Sequence, residues 1–468
     1  MSSLTTGGSI DLARPVMDAA DSATHTAAIA ARLERLPLTS YQRSIFAIIA
    51  TAWFFDSMDL GALTFVLGSI RQGFGLSTAQ TGLLSGMSFL GMFVGAACAG
   101  LLADRFGRTR VFQASMIFWG LGSILCGLAP SVEALAAARV LLGFGMGMEF
   151  PVAQSMVSEF IPAKQRGRYI ALLEGFWPIG FVASGLLAFA VLSVADWRWV
   201  FILQGVPAIF VLIVRRYVPE SPRWLASRGD IAGADRVMSD IEAKVSQRLN
   251  GAALPAPSPQ FIEARGTRGL STLFAAGYAQ RTAMLWSLWF FALLGFYGLT
   301  TWLGALLQAK GFPVTKSVFY TIVISLAGIP GFLTAAWLIE SLGRKPTLIG
   351  ALLGAAIACY FYGAAADQVQ LIVAGLCMQF CSFGMWSALY AYTPELYPTH
   401  IRATGTGFAS AVGRIGSLIG PSLIGFILPA AGQSGVFALG AGAFGLAALA
   451  VLLLGEETKG RTLESISH

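Results

Sequence analysis

Two carboxylates occur inside an apolar stretch near the start of the chain, where a membrane-crossing helix would bury them. Asp56 and Asp59 are three residues apart, so a helix places both on one face. Burying a charge at the centre of a bilayer costs several kcal/mol, so ionisable side chains there are candidates for function. Two neighbouring carboxyl groups inside a bilayer can bind and release a proton near neutral pH.

Other ionisable side chains fall in apolar stretches further along. Arg139 and Glu149 occur in one predicted helix, and Glu174 occurs in the next. Glu149 and Glu174 suit proton or substrate chemistry or, equally, hydrogen bonding between helices. Arg414 is about eleven residues into a predicted helix, roughly 16 Å deep at 1.5 Å per residue. An arginine at that depth needs an anion, which a substrate carboxylate or an acid such as Glu149 could supply.

The sequence lacks the patterns of most enzymes and cofactor sites. It contains no Walker loop, nucleophile elbow, HExxH motif or Cys/His cluster. His25, His400 and His468 fall outside the predicted spans, and the five cysteines lie in apolar stretches as packing residues. We therefore expect no enzymatic activity, no cofactor and no metal site. The formal charge of +7 is scattered in short clusters, which argues against nucleic acid as a partner.

The composition places these residues in an all-α membrane protein. Hydrophobic residues make up 56% of the 468 positions and charged residues only 12%, which indicates a lipid bilayer as the surroundings. A helix crosses a bilayer with about 20 mostly apolar residues. Twelve such helices are predicted, over 44–70, 80–103, 109–128, 132–158, 169–194, 197–216, 283–308, 316–340, 346–365, 368–391, 404–427 and 434–454.

The predicted helices form two groups of six that are related to each other. The expected divisions are an N-terminal segment 1–42, a bundle 43–217, a linker with short helices 218–282, a bundle 283–455 and a tail 456–468. Landmarks recur at one constant offset in residue number, which indicates two pseudo-symmetric bundles around a central cavity. Examples are Trp53 and Trp289, Arg108 and Arg344, Glu159 and Glu395, Gly180 and Gly416, and Glu220 and Glu456.

Basic residues in the short loops predict the orientation. If the N-terminus is cytoplasmic, the inner loops carry nine lysines and arginines against four in the outer loops, which follows the positive-inside rule. We therefore expect a multi-pass protein of a bacterial inner membrane with both termini in the cytoplasm.

Several motifs resemble those of the major facilitator superfamily. GLLADRFGRTR, from Gly100 to Arg110, is similar to its signature between helices two and three. PESPRWL (219–225) and EETKGR (456–461) resemble the sugar-porter branch and its metabolite/proton symporter relatives. Within that branch, WFFDSMDLGALTF (53–65) and LYAYTPELYPTHIRATGTG (389–407) look most similar to bacterial nicotinate (niacin) uptake transporters. Helix five lacks the GPxxGG pattern of drug/proton antiporters, which makes drug export less favoured.

The resemblance implies roles for several charged residues. Asp59 would pair with Arg139, and protonation of the acid would weaken that pair; the alternative is a fixed structural ion pair. Asp56 and Glu149 complete the set expected to couple protons to transport. A second set is expected to gate the cytoplasmic face without touching the substrate: Asp104, Arg108, Glu159, Arg166, Glu340, Arg344, Glu395 and Arg402.

The resemblance also places a set of aromatic residues on helices that line the cavity. Trp386 and Tyr390 are four residues apart and share a face, as suits stacking against a flat ring. The alternative is that these aromatic side chains only pack between the helices of the bundle or face lipid. With Arg414, the expected substrate-binding residues are Trp177, Phe296, Tyr297, Trp386 and Tyr390.

These features together predict a monomeric, proton-coupled importer of nicotinate or a similar aromatic carboxylate that works by alternating access. Its partners would be that small molecule, protons and the bilayer. A symporter for another organic acid, such as a benzoate- or quinate-like compound, or for a sugar remains an alternative. From another class, so does a ligand-binding receptor on the same fold that does not transport.

Overall fold

The computed structural model describes residues 19–251, 253–257, 273–274, 278–397 and 401–459, and it describes side chains from residue 25 onward except at 163–164 and 402–403. Within these ranges the chain is helical and contains no β-strand. The helices before the linker are α1 Ala19–Glu34, α2 Ser40–Phe74, α3 Thr78–Phe106, α4 Arg108–Leu128, α5 Val132–Phe160, α6 Ala163–Leu192, α7 Arg198–Gly205 and α8 Val211–Tyr217.

The linker and the second half follow the same plan. Two short helices, α9 Pro222–Ser227 and α10 Ile231–Arg248, lie in the linker. The second half contains α11 Ala279–Ala309, α12 Val314–Leu326, α13 Gly328–Ser341, α14 Arg344–Ala364, α15 Gln368–Glu395 and α16 Arg402–Leu454. We call α2–α8 the N-half and α11–α16 the C-half.

The described part of the chain provides twelve membrane crossings, as predicted. Eleven continuous helical stretches are long and apolar enough to span a bilayer. The last of them, α16, is two helices joined at Gly432, whose φ of 64° and ψ of −166° are not helical, so it supplies two crossings. The all-α, two-bundle fold class is therefore confirmed, while the division into domains at the bounds given above stays a proposal.

Two spans are interrupted where the sequence predicts continuous helices. The predicted helix over 197–216 contains a 3₁₀ segment, Val206–Phe210, with Pro207 in its first turn. The predicted helix over 316–340 is divided into α12 and α13 at Ala327, three residues before Pro330. Proline removes a backbone hydrogen bond and disfavours a helical residue before it, which accounts for both interruptions.

The packing of the two halves repeats as the sequence does. A side chain at Gly180 would collide with the carbonyl of Phe54, and one at Gly416 would collide with the carbonyl of Phe290, which are equivalent positions of the repeat. The ring contact between Trp53 and Phe150 likewise recurs between Trp289 and Trp386, with centroids 5.2 and 6.2 Å apart. The sequence repeat therefore corresponds to a repeated helix crossing.

Helix α1 packs on the linker and is absent from the sequence prediction. Its apolar side, including Ile29 and Leu33, is buried. Arg32 forms ion pairs of 2.7 Å with both Asp235 and Glu242 of α10. Glu34 Oε1 accepts hydrogen bonds from Arg166 at 2.7 Å and from Arg223 at 2.8 Å, so it ties α1 to both α6 and α9.

Acidification is expected to loosen α1. Burial tends to raise the pKa of Glu34, but hydrogen bonds and charge from Arg166 and Arg223 outweigh it and leave the pKa below its ordinary value of 4.5. The carboxylate therefore stabilises the packing fully above that value and loses its effect as the pH falls through the lowered pKa. Hydrogen exchange at residues 25–34, corrected for intrinsic rates, should show protection falling on acidification, and falling less in Glu34→Gln. Equal pH dependence in both proteins would contradict this assignment.

Candidate functional site

The two halves line a cavity with about 490 Å³ of empty space, its open side included, and most of the predicted substrate-binding residues lie around it. Trp177 of α6, Tyr297 of α11, Trp386 and Tyr390 of α15 and Arg414 of α16 all line it. Phe296 lines an adjoining cavity of about 310 Å³, together with Trp177 and Tyr297. The remaining residues around the main cavity are Trp53, Asp56, Leu60, Met92, Glu174, Pro178, Phe332 and Phe383.

Arg414 is the cation of this cavity. Its Nη1 lies 3.9 Å from Met92 Sδ, across the boundary between the halves. Among the described residues no carboxylate oxygen lies within 4 Å of its guanidinium. Glu149, named above as a possible internal partner, instead accepts hydrogen bonds from Trp119 at 2.7 Å and Ser115 at 3.4 Å. The site thus presents a guanidinium that has no described ion-pair partner, among largely apolar walls.

Aromatic rings form those walls. Trp386 and Tyr390 are stacked, with an interplanar angle of 25° and centroids 5.4 Å apart. On the opposite side, Trp177 stacks on Phe181 at 20° and 5.6 Å. The indole nitrogens of Trp53 and Trp386 are buried and have no hydrogen-bond partner among the described residues. Buried donors are normally paired, so these two indole groups are available to a polar ligand atom.

Two carboxyl groups complete the main cavity. Asp56 is 3% exposed, and its Oδ1 has no hydrogen-bond partner among the described residues. Glu174 is 5% exposed, and its Oε1 accepts a hydrogen bond of 3.1 Å from Gln154. Sequence reasoning named both acids, but their meeting with Arg414 in one cavity is a tertiary feature that no sequence motif indicates.

The direct ion pair expected between Asp59 and Arg139 does not form in this structure. Asp59 Oδ1 instead accepts a hydrogen bond of 2.8 Å from Ser123, and its other oxygen is buried without a partner among the described residues. Arg139 is 1% exposed and lies over the Phe201 ring at 5.7 Å. Both side chains are buried in the N-half. Their charged atoms are more than 4 Å apart but close enough to interact electrostatically.

The predicted gating residues lie at the face where α2 begins and α16 ends, here called the near face. Arg108 pairs with Glu159 between α4 and α5, and Arg344 pairs with Glu395 at 3.1 Å between α14 and α15. Arg344 also approaches Glu340 at 3.3 Å. These pairs join helices of the same half, so here they brace each half; their gating role stays a prediction.

The remaining three residues of that set have other surroundings. Asp104 is exposed, and its backbone carbonyl accepts a hydrogen bond of 2.8 Å from the Trp224 indole. Arg166 binds Glu34 of α1, a partner that the sequence analysis did not consider. The side chain of Arg402 lies outside the described part of the chain.

A carboxylate caps one near-face helix in each half, but the two caps are not separated by the constant offset of the repeat. Glu220 Oε1 accepts from the backbone N–H groups of Arg108 and Thr109 at 2.9 and 3.0 Å. In the C-half the equivalent cap on Arg344 and Lys345 is Glu457, at 3.0 and 3.1 Å, rather than Glu456, the residue at the repeat offset from Glu220. Glu456 pairs with Arg281 instead. An anionic cap at a helix N-terminus satisfies free N–H groups and the helix dipole.

At the opposite, far face, where α2 ends and α3 begins, the halves meet closely. A side chain added at Gly82 of α3 would lie 2.9 Å from the Pro421 carbonyl and 3.0 Å from that of Ser422. Ser422 Oγ donates a hydrogen bond of 3.3 Å to the Gly82 carbonyl. Small residues therefore let α3 and α16 touch backbone to backbone and close the far face.

Comparison with known proteins agrees with this architecture. The family model described as "Sugar (and other) transporter" matches residues 25–468. The "Niacin transporter NiaP" of Acinetobacter baylyi is 37% identical over 94% of this chain and 99% of its own length. The "Putative niacin/nicotinamide transporter NiaP" of Bacillus subtilis is 34% identical over 90% of this chain and 98% of its own.

Solved structures give the same fold. The structure titled "Inward open conformation of the xylose transporter XylE from E. coli" superimposes with a TM-score of 0.72 at 19% identity, covering 91% of this chain and 99% of that one. Twelve crossings, a central cavity between two repeated halves and these matches lead to one conclusion. The chain belongs to the sugar (and other) transporter family of the major facilitator superfamily and is a multi-pass membrane transporter, not an enzyme.

Proposed function

We propose that this transporter imports nicotinate, or a similar small aromatic carboxylate, by alternating access coupled to protons. The observation that carries the proposal is Arg414, a guanidinium with no described carboxylate within 4 Å, inside a cavity walled by Trp177, Trp386 and Tyr390. A guanidinium binds a carboxylate through two parallel hydrogen bonds, and the stacked rings suit a flat heterocycle. The names of the two relatives above support the same substrate.

The acids of the N-half support proton coupling. Asp56 lines the cavity and interacts electrostatically with Asp59 and Glu149, which are both fully buried. Buried carboxyl groups that are not paired with a cation can bind and release protons. In a bacterial inner membrane, with both termini in the cytoplasm, the inward proton gradient would then drive uptake by a monomer.

Uptake of radiolabelled nicotinate into proteoliposomes tests the proposal. With an inward proton gradient we expect accumulation above the external concentration, and a gradient-collapsing ionophore should abolish it. If the protein takes up benzoate or a sugar but not nicotinate, that compound replaces nicotinate as the proposed substrate. Binding of nicotinate without any uptake would make the protein a receptor, and uptake that ignores the gradient would make it a facilitator.

Replacing Asp59 with asparagine is expected to uncouple nicotinate transport from proton transport. The variant loses a titratable group but retains the side-chain volume and the hydrogen bond from Ser123. Gradient-driven accumulation of nicotinate should fall at least about tenfold, because ionisable side chains inside the membrane are usually functional. Exchange of nicotinate without a gradient should persist. Asp196→Asn, in an exposed loop, serves as the control. Full accumulation by Asp59→Asn would exclude Asp59 from coupling.

A further inference from the structure

The main cavity offers more than a carboxylate and a flat ring require. Arg414 of the C-half faces it together with Glu174 of the N-half. A benzoate-like ligand would occupy the guanidinium and the stacking surface but leave one oxygen of the Glu174 carboxyl without a partner. Leaving a buried polar group unsatisfied carries a cost, so the site fits better a ligand with a second polar atom.

Glu174 is placed as a ligand-binding group rather than as a free acid. Gln154 donates to its Oε1 at 3.1 Å and so fixes the carboxyl, while its other oxygen is left for a ligand. Trp177 lies three residues further along α6 and lines the same cavity, so the two side chains share a helix face. A ring stacked on Trp177 therefore has its edge beside Glu174.

We infer that Glu174 binds the ring nitrogen of the substrate while Arg414 binds its carboxylate, so that the site selects pyridine carboxylates over benzoates. The inference rests on the proposed function. One proton is shared between the Glu174 oxygen and the ring nitrogen, either as O–H donating to a neutral ring or as N–H⁺ donating to a carboxylate. The two ends of the ligand are then held by different halves, which draws the halves together around it.

Asp56 is the competing acid, and its surroundings differ. Asp56 interacts electrostatically with the acids Glu149 and Asp59 of the N-half as well as with Arg414, whereas the charge that acts on Glu174 is that of Arg414. Arg414 therefore acts on both acids, and Glu174 differs from Asp56 in being fixed by Gln154 and in sharing a helix face with Trp177. Asp56 is better placed for proton exchange with its neighbouring acids.

Calorimetric titration of the purified full-length protein with nicotinate and with benzoate tests the inference. The unmodified protein should bind nicotinate at least about tenfold more tightly, as expected for one hydrogen bond to a buried group. Glu174→Met keeps the side-chain length but cannot make this bond. It should weaken nicotinate about tenfold and leave benzoate within about twofold, which also shows that the variant is folded.

Asp56→Leu is the matched control, because it removes an acid from the same cavity and should keep the preference for nicotinate. Loss of preference in Asp56→Leu with preference retained in Glu174→Met would overturn the assignment to Glu174. Equal affinity of the unmodified protein for the two ligands would overturn the inference and leave the proposed function standing. Failure of the unmodified protein to bind either ligand would instead count against the proposed function.

Discussion

Arg414→Ala is expected to reduce nicotinate affinity at least about thirtyfold and to abolish uptake at low substrate concentration. Removing one partner of a buried, hydrogen-bonded charge pair costs about 2–5 kcal/mol, and each 1.4 kcal/mol is about a tenfold change in affinity. No other arginine or lysine lines this cavity, so within the described part of the chain no neighbouring cation can substitute.

Two further variants make the Arg414 result specific. Arg414→Lys keeps the charge but lacks the planar guanidinium that binds a carboxylate at two points. Its affinity for nicotinate should therefore lie between those of the alanine variant and the unmodified protein. Arg198→Ala removes a cation at the exposed far face and should leave affinity unchanged. Binding of nicotinate by Arg414→Ala at the original affinity would remove the arginine from the site.

Gly82→Trp is expected to abolish transport while leaving the protein folded. The new side chain would meet backbone of α16 at Pro421, Ser422 and Gly425, so the far face could not close. Overpacking costs about 3 kcal/mol, which shifts the equilibrium away from the closed far face roughly a hundredfold. Initial uptake rates and thermal unfolding of the same preparations measure the two effects separately.

Glycines elsewhere provide the comparison for Gly82. Gly143 lies inside the N-half against the backbone of Ser88, so Gly143→Trp should lower thermal stability as well as uptake. Gly350 has open space beside it, and Gly350→Trp should change neither. Normal uptake by Gly82→Trp would show that closure of the far face is not part of the transport cycle.

The spans could be predicted from the sequence because bilayer thickness imposes a length and a composition on each helix. The predicted span 80–103, for example, falls inside α3, Thr78–Phe106. Helix α1 could not be found in this way. It is short, amphipathic and only weakly apolar, and it packs against the linker helices α9 and α10, which are distant in sequence.

The site was predictable in its residue types but not in its geometry. Tryptophan, tyrosine and arginine in apolar helices are conspicuous, and most of those named line the main cavity. The hydrogen bond from Ser123 to Asp59, in place of an ion pair with Arg139, depends on how α2 and α4 are rotated against each other. Periodicity within one helix does not determine that rotation.

The displaced cap at Glu457 has a consequence for how the duplicated chain has changed. The constant offset of the repeat is kept as far as the Gly180 and Gly416 crossings, but the caps Glu220 and Glu457 are one position further apart than that offset. One residue must therefore have been gained or lost between those points, a stretch that includes the non-helical turn at Gly432. Turns between spans can absorb such a length difference without disturbing a helix end. The two halves thus kept the same carboxylate cap on a helix N-terminus although the spacing of the capping residues along the chain changed.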